Sequence, residues 1–83
     1  MYSVQFLPSA ARELSKLEPA VRRRLARRID RLAQDPRAGA VKLRGAEHTW
    51  RVRVGDHRIL YQIQDDRLLI LVIRVAHRRD VYR

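Results

Sequence analysis

The chain has 83 residues, which is enough for one compact domain over residues 1–83 and too few for two. It carries 19 Lys and Arg against 9 Asp and Glu, a formal net charge of +10, and 17 of the 19 are Arg. Cysteine is absent, which excludes disulfides and thiolate metal sites. A domain this basic is typical of one that meets a polyanion, and arginine binds phosphate bidentately and stacks on bases. The composition therefore favours a nucleic-acid ligand over an acidic protein or a merely solvated surface.

We expect a cytoplasmic protein without a membrane segment. The N-terminal residues lack the basic stretch and long apolar run that mark a secretory signal. The longest apolar run, residues 68–73, is far shorter than the ~18 residues that a membrane helix needs.

The N-terminal part of the chain predicts a strand followed by a short helix. Apolar and polar residues alternate over residues 2–6, which is typical of a strand with one buried face. Pro8 ends this strand, and Ser9 can cap a helix that begins at Ala10. Pro19 is placed for the first turn of the next helix.

The second helix has the clearest pattern in the chain. Its apolar residues recur every three or four positions, namely at Val21, Leu25, Ile29 and Leu32. Arginines occupy most other positions, namely Arg22, Arg23, Arg24, Arg27, Arg28 and Arg31. This basic surface is either a solvated helix face or a surface that meets RNA or a protein partner. Asp35 and Pro36 end the helix.

The second half of the chain predicts strands joined by tight turns. Residues 37–47 form a loop with a short extended piece around Lys42. Residues 49–54 and 57–64 alternate on either side of a two-residue turn, and residues 68–75 are apolar at every position but 74, as in a central strand covered on both faces. The predicted fold is α+β in the order β-α-α-β-β-β, with a helical hairpin on one face of a largely antiparallel sheet.

A turn at Gly55 and Asp56 fixes the register of the first hairpin. It places Arg53 opposite Arg58, with Arg51 on the same face, and it gives the other face an apolar set that can take the helices. That set is Trp50, Val52, Ile59 and Tyr61. Like charges directly opposed across strands are destabilising, and a bridging anion removes the repulsion. The register therefore predicts a phosphate site, although long arginine side chains can also diverge into water.

The sequence does not determine the register of the last strand. A two-residue turn at Asp65 and Asp66 puts His77 on the arginine face, and one bulge, or an exit from the sheet at Ala76, reverses this. His77 is a candidate acid–base group because its ordinary pKa lies near neutrality. The alternative is that it only orients Arg78 or pairs with Asp80.

Four segments in this order resemble the RelE/ParE toxin superfamily. They are residues 42–45 (KLRG), 50–61 (WRVRVGDHRILY), 75–78 (VAHR) and 80–82 (DVY). The resemblance implies a metal-independent, cofactor-free endoribonuclease that cuts mRNA in the ribosomal A site. In that chemistry the RNA 2′-hydroxyl attacks the adjacent phosphorus and leaves a 2′,3′-cyclic phosphate and a 5′-hydroxyl. It also implies a cognate antitoxin, acidic or acid-tailed, held with the toxin in a hetero-oligomer.

The resemblance also implies roles for individual residues. Arg58 matches the arginine on the scissile phosphate, Arg78 the arginine near the leaving group, and Tyr82 a tyrosine that orients or stacks on a base. Arg51 and Arg53 match basic strand positions that are often lysines, so the proton acceptor stays open because arginine is always protonated. Further RNA contacts are predicted at Lys42 and Arg44. The alternatives are a ParE-like toxin that binds DNA gyrase without cutting RNA, and a passive RNA-binding module.

Overall fold

The computed structural model describes residues 1–46 and 48–77, which form two helices and a five-stranded sheet. In chain order the elements are β1 (Ser3–Phe6), α1 (Pro8–Ser15), α2 (Pro19–Gln34), β2 (Val41–Lys42), β3 (Thr49–Val54), β4 (His57–Gln64) and β5 (Leu69–His77). The sheet order is β1-β5-β4-β3-β2, with β1 parallel to β5 and every other pair antiparallel. The predicted α+β class and element order are confirmed, with β2 as a short additional edge strand.

The core lies between the helices and one face of the sheet. The apolar stripe of α2 packs on the apolar face that the β3–β4 register predicted. Tyr61, Leu25, Leu32, Ile59 and Ile70 have no solvent exposure, and Val21 and Trp50 are partly buried against this cluster. In the described part of the chain, neither helix is long and apolar enough to cross a membrane.

The first helix begins earlier than the sequence predicted. It starts at Pro8, with Leu7 as the N-cap and no side-chain capping bond, so Ser9 lies inside the helix and does not cap it. The physical reason is that proline's fixed φ is already helical and its missing N–H costs nothing in the first turn. Both α1 and α2 therefore begin at a proline.

A polar cluster ties the chain's first strand to the β4–β5 turn and the loop after α2. Asp65 accepts a hydrogen bond from the Tyr2 hydroxyl at 2.5 Å and forms an ion pair with Arg37 at 2.8 Å. The hydrogen bonds from Arg37 and then from Tyr2 lower the pKa of Asp65. The Arg37 guanidinium also lies 5.3 Å from the centre of the Trp50 ring. The segments around Tyr2, Arg37 and Asp65, which are distant in sequence, therefore meet in one cluster.

Tyr61 anchors the end of α2 to the sheet from within the core. Its hydroxyl donates a 2.6 Å hydrogen bond to the Pro36 carbonyl oxygen, and burial raises the pKa of Tyr61 to about 12. We expect Tyr61→Phe to lower the free energy of unfolding by about 1–2 kcal/mol, because it leaves that buried carbonyl without its donor. Urea unfolding at neutral pH measures this cost. Equal stability of the two proteins would contradict it.

Candidate functional site

Three arginines of β3 and β4 share the face of the sheet that points away from the helices. The β3–β4 register places Arg53 directly opposite Arg58 and Arg51 opposite Leu60. This is the pairing that the turn at Gly55 predicted, and Gly55 has the positive φ of 59° that such a turn requires. We call this surface, defined by Arg51, Arg53 and Arg58, the arginine face.

The three side chains differ in exposure, which separates their possible roles. Arg53 is exposed, Arg51 is partly buried, and Arg58 keeps only 5% of its surface exposed. The Arg51 Nε is buried and has no hydrogen-bond partner among the described residues. A buried guanidinium N–H without an acceptor costs free energy, and an incoming oxyanion removes that cost. The arginine face therefore contains a nearly buried cation at Arg58 and, at Arg51, a buried donor that the described residues leave unused.

The last strand contains a bulge that the sequence did not predict. Asp65 to Leu68 form a four-residue connection, and Tyr61 pairs with Val72 whereas Leu60 pairs with Arg74. Ile73 is therefore an extra residue on β5, and every later side chain changes face. His77 lies opposite His57 on the helix face, with the two ring centroids 5.2 Å apart.

This register corrects the simplest expectation for His77. The two-residue turn placed His77 beside Arg58, whereas the bulge places it on the opposite side of the sheet. Ala76 occupies the position opposite Arg58 and is itself buried. The geometry therefore gives no support to His77 as an acid–base partner of Arg58.

Glu13 holds the part of β5 that follows the bulge. β1 ends at Phe6, opposite Val72, so in the described part of the chain no strand pairs with the next residues of β5 on that side. The Val75 N–H donates a 2.9 Å hydrogen bond to Glu13 Oε1, and Arg74 lies 3.6 Å from Glu13 Oε2. The Glu13 carboxylate on α1 thus accepts the backbone hydrogen bond that a neighbouring strand would otherwise accept. This contact could not be predicted from the sequence, because no local pattern joins residues 62 positions apart.

The structure does not place the other predicted site residues on the arginine face. Lys42 pairs with Trp50 and so belongs to the helix side of the edge strand β2, not to the arginine face. Arg44 is exposed in the turn after β2. Arg78 and Tyr82 lie outside the described residues.

His57 lies at the end of the β3–β4 hairpin, on the helix face. Burial lowers its pKa, and the positive charges of His77 and Arg24 lower it further, while Asp56 opposes them. A lowered pKa means that the folded state favours the neutral ring. The stabilisation is therefore present above the ordinary value of 6.5 and is lost as the pH falls through the folded-state pKa.

We expect the protein to lose stability between about pH 7 and about pH 5, and His57→Gln to reduce that loss. Thermal melts across this range measure the slope. His48→Gln is the matched control, because His48 is exposed and is not among the charges that act on His57. A slope that is the same in His57→Gln and wild type would contradict the assignment.

The described arginine face is suited to binding phosphate and to stabilising charge. Within residues 1–46 and 48–77, the strand residues on this face include no carboxylate and no imidazole. The same residues contain no group of three His, Cys, Asp or Glu side chains arranged to hold a metal ion. What the face presents is a set of preorganised guanidinium donors, which stabilise negative charge as it develops on an oxyanion.

Comparison with known proteins identifies the family. The profile of a family described as "ParE toxin of type II toxin-antitoxin system, parDE" matches residues 4–82. The chain belongs to the RelE/ParE toxin superfamily. The predicted family is confirmed.

Curated RelE-type toxins align along nearly the whole toxin. Toxin RelG of Mycobacterium tuberculosis is 36% identical over 87 residues, covering 99% of this chain and 97% of the relative. The mRNA interferase toxin RelE of Escherichia coli is 30% identical over 79 residues, covering 93% of this chain and 83% of the relative.

Solved structures of RelE proteins share the toxin's fold. The toxin in the crystal structure of the intact Escherichia coli RelBE toxin–antitoxin complex superposes with a TM-score of 0.83 at 28% identity, covering 93% of this chain and 96% of that one. The RelBE2 toxin–antitoxin complex of Mycobacterium tuberculosis gives a TM-score of 0.82 at 32% identity, covering 93% and 98%.

Proposed function

We propose that this toxin is a ribosome-dependent endoribonuclease that cuts mRNA in the A site, in the cytoplasm, where ribosomes are. The observation that carries the proposal is the direct opposition of Arg53 and Arg58 on the face of the sheet away from the helices. Beside them lies the Arg51 Nε, which has no partner within residues 1–46 and 48–77. Two opposed guanidinium groups repel each other unless an anion lies between them. The names of the curated relatives supply the reaction, because RelE of Escherichia coli is an mRNA interferase.

The proposed chemistry is the one that the family resemblance implies. The RNA 2′-hydroxyl attacks the adjacent phosphorus, the bond to the 5′-oxygen breaks, and a 2′,3′-cyclic phosphate and a 5′-hydroxyl result. Arg58 holds the scissile phosphate, and Arg51 and Arg53 bind the phosphates around it and offset the charge of the phosphorane. Arg78 near the leaving group and Tyr82 against a base complete the proposal, by family resemblance.

In this proposal the described arginines do not transfer protons; other groups do. Arginine is always charged, and the described arginine face offers no base. Water or a ribosomal group accepts the 2′ proton, and catalysis rests on positioning and charge stabilisation.

The decisive experiment maps mRNA 5′ ends in a reconstituted translation reaction with and without the toxin. Cuts in phase with codons, ending in 5′-hydroxyls and present only with ribosomes, support the proposal. The family profile carries the ParE name, so a parallel reaction contains DNA gyrase and plasmid. Gyrase inhibition without RNA cleavage would replace the proposal by the gyrase-binding one.

We also propose that an acidic or acid-tailed antitoxin covers part of the arginine face and forms a hetero-oligomer with the toxin. The net charge of +10 favours fast, salt-sensitive association with an anionic segment. RelB–RelE complexes are the relevant structural relatives. The protein encoded beside the toxin is co-expressed, and its affinity is measured against salt for wild type and Arg53→Gln. An affinity that does not depend on salt, and that Arg53→Gln leaves unchanged, would exclude the arginine face as the antitoxin-binding surface.

His77→Gln is expected to leave both the cleavage rate and its pH dependence close to wild type, within about threefold. The reason is that His77 lies on the helix face, across the sheet from Arg58. The pH–rate profile is measured at saturating ribosomes, so that binding does not limit the rate. Loss of a titration near the ordinary histidine pKa, together with a large fall in rate, would return His77 to the catalytic set.

A further inference from the structure

The outer surface of α2 carries a straight line of arginines on the side away from the core. Arg23, Arg27 and Arg31 follow one another at intervals of four residues, and all three are exposed. The buried residues Leu25, Ile29 and Leu32 lie on the opposite side of the same helix. We call Arg23, Arg27 and Arg31 the helix stripe.

The helix stripe is not explained by interactions within the fold. In the described parts of the chain, no carboxylate forms an ion pair or hydrogen bond with any of its three arginines. The one acidic residue within α2, Asp30, is exposed and lies beside Arg31 without pairing to it. Like charges four residues apart on a helix repel each other, so this arrangement opposes helix formation. A polyanion bound along the stripe attracts all three arginines, so their charges then stabilise the helix.

The spacing and surroundings of the stripe favour phosphates over an acidic protein. Four residues of α-helix rise about 6 Å, so the stripe presents guanidinium groups at regular steps, as a nucleic-acid strand presents phosphates. Protein interfaces need apolar or aromatic anchors at their centre. None of the exposed residues of α2 around the stripe is such an anchor; they are Pro19, Ala20, Arg24, Ala26, Asp30 and Gln34.

The helix stripe and the arginine face lie on opposite sides of the molecule. The sheet and α2 separate them, and the smallest dimension of the molecule is 24 Å. An RNA strand seated on the arginine face therefore leaves the stripe open for another RNA segment. We propose that the helix stripe is a second RNA-binding surface that follows the phosphate backbone of an RNA duplex, separate from the surface proposed to cut mRNA.

The test compares two triple variants with the same change in charge. Arg23→Gln, Arg27→Gln and Arg31→Gln together remove the stripe, and glutamine is a good helix former. The matched control removes three exposed cations elsewhere, through Arg12→Gln, Lys16→Gln and Arg67→Gln. The probe is a blunt RNA duplex of about 16 base pairs with 2′-O-methyl riboses, which cannot be cleaved through the 2′-hydroxyl. The result is thus independent of whether the toxin cuts mRNA.

We expect the stripe variant to bind the duplex at least about tenfold more weakly, with a smaller dependence of affinity on salt, and the control to stay within about threefold. The melting temperature of the stripe variant should not fall, because repulsion along α2 has been removed. Equal losses in the two variants would reduce the effect to net charge and overturn the proposal. Weaker binding of the co-expressed antitoxin with unchanged binding of the duplex would also overturn it, by assigning the stripe to a protein.

Discussion

Arg58→Ala is expected to lower ribosome-dependent mRNA cleavage by about 100-fold or more, the scale for loss of one preorganised charge contact in a reaction. Arg58 keeps 5% of its surface exposed and lies opposite Arg53 on β3 and Ala76 on β5. Single-turnover cleavage at saturating ribosomes measures the rate. Arg78→Ala is expected to cause a loss of similar size, from the family resemblance.

The burial of Arg58 calls for two companion variants. Arg58→Met keeps most of the side-chain volume and removes the charge, so it separates a catalytic loss from a packing loss. Arg58→Lys keeps the charge and removes the planar fork, so it should retain more activity than the methionine variant. A rate within about threefold of wild type for folded Arg58→Met would remove Arg58 from the mechanism.

Arg53→Glu is expected to abolish most cleavage, by about 100-fold or more, while making the protein more stable. It converts a directly opposed like-charge pair into an ion pair with Arg58, for which about 1 kcal/mol of stabilisation is the expected order. A gain in stability that accompanies a loss of activity is the signature of a site retained for function and not for folding.

The neutral variant Arg53→Gln separates the two effects. It removes the repulsion without supplying a carboxylate, so its stability should lie between those of wild type and Arg53→Glu. Urea unfolding gives the stabilities and single-turnover cleavage gives the rates. An Arg53→Glu protein less stable than wild type would show that the two guanidinium groups do not repel each other in the folded state.

Most of the arginine face could be predicted from the sequence, because it depends on local rules. Gly55 sets a two-residue turn, the turn fixes the register, and the register places Arg53 opposite Arg58 without further information. The apolar stripe of α2 was equally visible, because the helical period repeats over four turns. Assignment of the chain to its superfamily followed from motifs around these same residues, and the family profile confirmed it.

The face occupied by the end of β5 was decided by the tertiary structure alone. Residues 68–73 are apolar at every position, so they carry no alternation from which a register can be determined. The extra residue at Ile73 is accommodated by contacts from distant parts of the chain, including the hydrogen bond from the Val75 N–H to Glu13. Sequence periodicity determines which elements form and which side of each is apolar. A bulge depends instead on hydrogen bonds between strands and helices that meet only in the folded molecule, which is why the position of His77 could not be predicted from the sequence.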